Sequence, residues 1–130
     1  MLTAAAPAKP YMRFTAWTAC HELTRALYRE TRHWPADERY GLSAQARRAA
    51  FSAAVNIAEG SARRGPREFR RFLDVSVGSL TELSYILLLA RDVELLSQAS
   101  YAEIEALRDR ANRLTWGLYR AIARKADRAG

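Results

Sequence analysis

Apolar residues recur at steps of three and four along four segments of the chain, and no segment shows sustained alternation with a period of two. This spacing puts apolar side chains on one side of an α-helix. It predicts helices over residues 14–32, 43–59, 66–92 and 100–126, joined by short loops. Four such helices predict an all-α fold, an antiparallel up-and-down four-helix bundle. The apolar stripe of the fourth helix is the most regular: Ile104, Leu107, Ala111, Leu114, Leu118 and Ile122.

Residues that favour helix ends stand at the expected boundaries. Ser43 is a suitable N-cap for the second helix, and Gly60 can take the left-handed conformation that ends it. Pro66 suits the first turn of the third helix, where no backbone N–H is needed. Ser100 and Glu103 have the spacing of a capping box and predict the start of the fourth helix.

Length and composition fit one domain, because the chain has 130 residues of which 49% are hydrophobic. We expect a flexible leader over residues 1–12 and a single four-helix-bundle domain over residues 13–130. The one cysteine, Cys20, cannot form an internal disulfide, which agrees with a cytoplasmic protein. The longest apolar run, residues 85–90, is far shorter than the roughly 20 residues of a membrane span, so no membrane segment is predicted.

A polar stripe follows the second helix between two apolar flanks: Gln45, Arg48, Ser52, Asn56 and Glu59. Such a stripe is normally the wet face, but its flanks favour burial, inside the bundle or between subunits. A buried arginine needs a carboxylate partner, and we expect Arg48 to pair with Glu82 of the third helix. The hypothesis is a buried polar network that sets helix register, with an active site as the lesser alternative.

Three motifs follow one another along the chain: Pro35-x-x-Glu38-x-Tyr40-Gly41-Leu42-x-x-Gln45, then Ser52 with Asn56-Ile57-Ala58-Glu59-Gly60, then Gly78-Ser79-x-x-Glu82-Leu83. Over about residues 14–118 they resemble the four-helix-bundle proteins encoded in intervening sequences of bacterial 23S rRNA. That family includes the accessory protein of diversity-generating retroelements. The resemblance implies a homopentamer without enzymatic activity, and association with nucleic acid and a reverse transcriptase. The chain departs from the family in its alanine-rich residues 44–54, and in Asp92-Val93-Glu94 where a glycine is common.

The net charge is +7, from 21 basic and 14 acidic residues. Clustering matters more than this total, because an arginine-rich composition can also reflect the genome. The densest cluster opens the third helix: Arg63, Arg64, Arg67, Arg70 and Arg71. Arginines there oppose the helix dipole, whereas free backbone N–H groups at a helix start attract anions. Phosphate binding, directed at the backbone rather than at bases, and a merely solvated surface are about equally favoured. A second group is diluted by acids: Arg108, Arg110, Arg113, Arg120, Arg124, Lys125 and Arg128, against Glu103, Glu105, Asp109 and Asp127.

Trp116 lies roughly 150° around the fourth helix from its apolar stripe, and Tyr119 lies beside it. Large aromatic residues that face away from a core favour interfaces, so both are candidate oligomer-interface residues. Packing of the leader over Trp116 is the alternative.

No residues have the spacing of a catalytic or metal site. His21 and His33 have no second ligand at metal-binding spacing, and the side chains of Cys20 and His21 diverge on a helix. We therefore expect no cofactor and no enzyme. The sequence favours a homo-oligomeric protein whose basic surface associates with RNA, DNA or a nucleoprotein partner such as a reverse transcriptase. The alternative is a protein-binding adaptor or assembly module with no direct nucleic-acid role.

Overall fold

The computed structural model describes residues 8–38 and 41–129 and contains four long helices. They are α1 Thr15–Thr31, α2 Leu42–Ser61, α3 Pro66–Asp92 and α4 Gln98–Ala129. Short 3-10 turns at Pro10–Arg13 and Ala36–Glu38 precede α1 and α2, and the described ranges contain no strand. The all-α prediction is confirmed, with every helix end within three residues of its expected position.

The four helices form a closed bundle in which each contacts two neighbours. Helices α1 and α3 both pack against α2 and α4, and among the described residues the diagonal pairs do not meet. Contacts between α3 and α4 join Arg70 to Asp127 and Leu80 to Arg108. The helical bundle is confirmed; its antiparallel direction stays a prediction, with which the order of these contacts agrees.

The core is leucine-rich, except on α2, where small residues form the buried side. Leu23, Leu27, Leu73 and Leu87 are fully buried. The buried face of α2 consists mainly of alanines: Ala46, Ala49, Ala50, Ala53 and Ala54. Small side chains let a neighbouring helix approach closely, and Ser76 of α3 donates a hydrogen bond of 2.9 Å to the carbonyl oxygen of Ala53.

Two predicted N-terminal caps are wrong. Gly41 is the N-cap of α2, and Oε2 of Glu38 accepts a hydrogen bond from the backbone N–H of Leu42 at 3.3 Å. Ser43 lies inside the helix and is buried. At the start of α4, Oγ of Ser97 accepts from the N–H of Ser100 at 3.1 Å, so the cap lies three residues earlier than predicted.

Gly60 does not end α2, which continues to Ser61. A Cβ atom on Gly60 would lie 2.7 Å from Cβ of Phe72 and 2.8 Å from Cδ1 of Phe69. The glycine therefore permits close packing of α2 on α3. The left-handed glycine of this connection is Gly65, with φ +84°.

Helix α3 is long and apolar enough, by length and composition alone, to cross a membrane. Its inner side is buried against α2 and α4, however, with Leu73, Leu80 and Leu83 fully enclosed. A core helix of a bundle has this pattern.

Part of the predicted leader, residues 1–7, lies outside the described residues, as do Arg39 and Tyr40 of the first motif. The described part of the leader contacts the bundle, since the ring of Tyr11 lies 4.9 Å from that of Trp17. The division into leader and domain stays a prediction.

Candidate nucleic-acid interface

The packing brings the first basic group of the sequence and the last residues of the second to one end of the bundle. The rings of Phe14 and Phe69 lie 5.6 Å apart, which joins the start of α1 to the start of α3. Gly60 meets Phe69 near the end of α2. Arg70 and Asp127 form an ion pair of 3.5 Å between the start of α3 and the end of α4.

Charge is divided unevenly between the two halves of the bundle. The basic half, defined as residues 8–22, 52–78 and 112–128, carries twelve basic and five acidic side chains, a net charge of +7. The opposite half, residues 23–38, 41–51 and 79–111, carries eight basic and nine acidic side chains. The entire excess of positive charge therefore lies on one half.

The arginine cluster predicted from the sequence occupies the surface of this basic half. Arg63, Arg64, Arg67 and Arg71 are exposed, and Arg70 is half-buried. In the described part of the chain, Arg64 and Arg67 form no ion pair. The guanidinium of Arg63 lies 4.9 Å from the centre of the Phe72 ring, which orients it without neutralising it.

An open cleft of about 730 Å³ lies between the start of α3 and the end of α4. Its lining is Arg67, Glu68, Arg70, Arg71, Ala126 and Asp127. The ion pairs in it are long and exposed, at 3.3 Å between Arg71 and Glu68 and 3.5 Å between Arg70 and Asp127. Exposed pairs of this kind contribute little, so an anion can replace the carboxylates on these arginines.

The second basic group divides into two parts. Its first part is neutralised locally, since Arg108 pairs with Glu105, Arg110 with Glu22 of α1 and Arg113 with Asp109. Its last residues are exposed near the cleft: Arg120, Arg124, Lys125 and Arg128. The sequence interpretation treated them as a separate, weaker patch. An up-and-down bundle places the end of α4 beside the start of α3, so the sequence could have predicted that these residues lie near the first cluster.

The predicted buried network does not form within the chain. Gln45, Arg48, Glu59 and Glu82 are exposed, and Arg48 and Glu82 make no ion pair. The expectation rested on apolar flanks, and a flanking residue, Phe51, is itself 55% exposed. Burial within one chain is therefore wrong, and burial between subunits stays a prediction.

Only the middle of the stripe is packed. Oγ of Ser79 on α3 donates a hydrogen bond to Oγ of Ser52 at 2.8 Å. Nδ2 of Asn56 donates to the carbonyl oxygen of Ser52 at 2.8 Å and lies 3.2 Å from its Oγ. The hydrogen bond between Ser79 and Ser52 connects α3 to α2, and Asn56 bonds to Ser52 within α2.

Trp116 and Tyr119 adjoin the basic surface on the outer side of α4. Trp116 is 37% exposed, and Tyr119 is half-buried. Their ring centres lie 5.3 Å apart, with the planes at 76°. The assignment of both residues to an oligomer interface stays a prediction.

Comparison with known proteins decides the family. The family model described as 23S rRNA-intervening sequence protein matches residues 12–117. The chain belongs to this family. A crystal structure from the S23 ribosomal protein family of Bacteroides thetaiotaomicron, described as a protein of unknown function, superimposes with a TM-score of 0.73. It is 19% identical, and the match covers 81% of this chain and 95% of that one. No curated protein matches the chain.

Arg108 is the buried arginine among the described residues, and its burial was not predicted from the sequence. Its guanidinium makes three hydrogen bonds to the Glu105 carboxylate, at 2.7, 2.8 and 3.1 Å, and a fourth to the carbonyl oxygen of Leu80. The hydrogen bond to Glu105 raises the pKa of Arg108. The sequence contains a signal for this burial, because Arg108 is four residues after Ile104 and three before Ala111 and so lies within the apolar stripe of α4.

Cys20 and His21 are neighbours in sequence with different contacts in the structure. Cys20 is fully buried, with Sγ 3.7 Å from Oγ1 of Thr115, and burial raises the pKa of its thiol to about 11. His21 stacks on Trp17 at 4.9 Å. In the described ranges no three His, Cys, Asp or Glu side chains are grouped as metal ligands would be.

Proposed function

We propose that this protein is a non-enzymatic, homo-oligomeric bundle whose basic end binds the phosphate backbone of RNA or DNA. It does so alone or together with a nucleoprotein partner such as a reverse transcriptase. The observation that carries the proposal is the division of charge, +7 on the basic half against −1 on the opposite half of the described chain. A field of this kind attracts polyanions to one end of the molecule.

The residues at that end suit phosphate rather than base recognition. Arg64 and Arg67 are exposed without ion pairs, and Arg70 and Arg71 line the open cleft. Arginine binds phosphate with a planar fork of N–H donors, and the proposed contacts carry no base sequence information. Binding should therefore be strongly salt-dependent and weakly sequence-dependent.

Self-association is the second part of the proposal, and the outward sides of α2 and α3 support it best. Phe51 and Val75 are 55% and 48% exposed there. A Cβ on Gly78 would meet nothing within 4 Å, which leaves room for a second copy. Arg48 and Glu82 carry opposite charges on this surface and can pair between copies. The pentamer itself comes from the family resemblance.

The first experiment measures binding of a fluorescein-labelled structured RNA and a duplex DNA by anisotropy, between about 50 and 200 mM salt. The logarithm of the affinity should fall linearly with the logarithm of the salt concentration for both ligands. No binding at the lowest salt would contradict the nucleic-acid role. A protein partner that resists nuclease and high salt would then favour the adaptor alternative.

Light scattering during size-exclusion chromatography measures the oligomeric state. We expect a single homo-oligomer at micromolar concentration. A monomer would contradict self-association.

A further inference from the structure

The basic half has one exposed large aromatic residue among those described, Trp116. Other exposed aromatic residues, Phe51 and Tyr85, lie on the opposite half, and the ring of Tyr28 is covered by the guanidinium of Arg47 at 4.5 Å. An exposed indole in a strongly positive field is a suitable surface for a flat, anionic ligand.

Two arginines flank this indole along α4. Arg113 precedes it by three residues and Arg120 follows it by four, so both lie within about one turn on the same side of the helix. All three residues, with Asn112, line an open cleft of about 450 Å³. Arg120 has no ion pair in the described chain, and the Arg113 pair with Asp109 is exposed and exchangeable.

The ring of Tyr119 contacts the indole of Trp116 edge-on, with the two ring planes at 76°. Eleven residues, close to three full turns, separate Trp116 from Asp127, which contacts Arg70. Trp116 therefore lies on the same side of α4 as the larger basic cleft, about 16 Å away along the helix axis. One strand can contact both.

We propose that Trp116 stacks on an unpaired nucleobase of a single-stranded nucleic acid, while Arg113 and Arg120 bind the phosphates beside that base. This inference rests on the proposed function and deepens it, because it names single strands with accessible bases as ligand. A second copy of the chain is a poorer occupant. Two such faces pressed together would oppose arginines to arginines, and like charges at an interface are unfavourable.

The test compares two labelled 12-mers with equal numbers of phosphates, oligothymidylate and an abasic strand of the same length. The wild-type protein should bind oligothymidylate about 5-fold to 100-fold more tightly than the abasic strand. Trp116→Ala should abolish this preference and leave the affinity for the abasic strand unchanged. Trp116→Phe should keep part of the preference, since it keeps a ring.

Tyr85→Ala is the matched control, because Tyr85 is a 64% exposed aromatic residue on the opposite half. It should retain the full preference for bases. Equal binding of both strands by the wild type, or an unchanged preference in Trp116→Ala, would overturn the inference while leaving the proposed function intact. A Trp116→Ala protein that dissociates into monomers and keeps the preference would assign the indole to a subunit interface. Failure to bind either strand would overturn the inference alone if structured RNA and duplex DNA still bind, and both proposals if they do not.

Discussion

Nη1 of Arg108 on α4 donates a hydrogen bond to the carbonyl oxygen of Leu80 on α3, at 3.3 Å. The same guanidinium is held from the other side by the Glu105 carboxylate, at 2.7 Å from Nε. Arg108 is 9% exposed, and these two residues accept the hydrogen bonds that its guanidinium makes. The arrangement fixes α4 against α3 midway along the bundle.

Removing the carboxylate should destabilise the fold. In Glu105→Ala the guanidinium keeps the Leu80 contact but loses its counter-charge, and we expect a loss of about 1–3 kcal/mol in the free energy of unfolding. Urea denaturation followed by circular dichroism, at fixed protein concentration, measures it. Glu68→Ala is the control, since it breaks the exposed pair with Arg71, away from Arg108, and should cost less than about 1 kcal/mol. Equal losses of stability in the two variants would contradict the role of Glu105 as the counter-charge of a buried arginine.

Two glycines should respond in opposite directions to alanine. Gly60→Ala forces a Cβ against Phe69 and Phe72, at 2.8 and 2.7 Å, and should lower stability by about 1–3 kcal/mol. Gly117→Ala adds a methyl group to an open surface of α4, away from the proposed contact between copies, and should raise it by about 0.5–1 kcal/mol. Thermal unfolding of both variants measures the difference. A stabilised Gly60→Ala protein would show that α2 and α3 pack less closely than described.

Glu94 lies in the left-handed region, with φ 66°, directly after α3. This is the segment in which the sequence lacks the glycine common in the family. Because a Cβ is disfavoured in that conformation, Glu94→Gly should stabilise the protein by about 0.5–1 kcal/mol. Glu103→Gly, inside α4, should instead cost about 1 kcal/mol. Similar losses of stability in Glu94→Gly and Glu103→Gly would contradict a strained backbone at Glu94.

The helices were predictable because periodicity and Pro66 act locally. The concentration of positive charge at one end of the bundle was harder to predict, because Arg70 and Asp127 are far apart in sequence and are brought together only by helix packing. Periodicity also shows which residues share a face without showing what covers it. For this reason the sequence predicts burial for the stripe containing Arg48 and a surface position for Arg108, whereas the structure exposes Arg48 and buries Arg108.

The Cys20 thiol should make stability fall at high pH. Its native pKa is raised to about 11, whereas the unfolded thiol loses its proton near pH 9. The stabilisation is therefore complete below pH 9 and declines as the pH rises towards 11. The difference in melting temperature between the wild type and Cys20→Ala, measured at pH 8 and pH 10, should shrink at the higher pH. A constant difference would contradict this account.

The most direct test of the central claim compares two triple charge reversals with the same change in net charge. One replaces Arg63, Arg64 and Arg67 with glutamate on the basic half, and the other replaces the exposed Arg25, Arg29 and Arg32 on the opposite half. Affinity for RNA and duplex DNA is measured against salt concentration. The first variant should bind both ligands at least about tenfold more weakly, with a salt slope lower by roughly two to three, whereas the second should keep the wild-type slope. Equal effects of the two reversals, or an unchanged slope in the first, would contradict a phosphate-binding basic end.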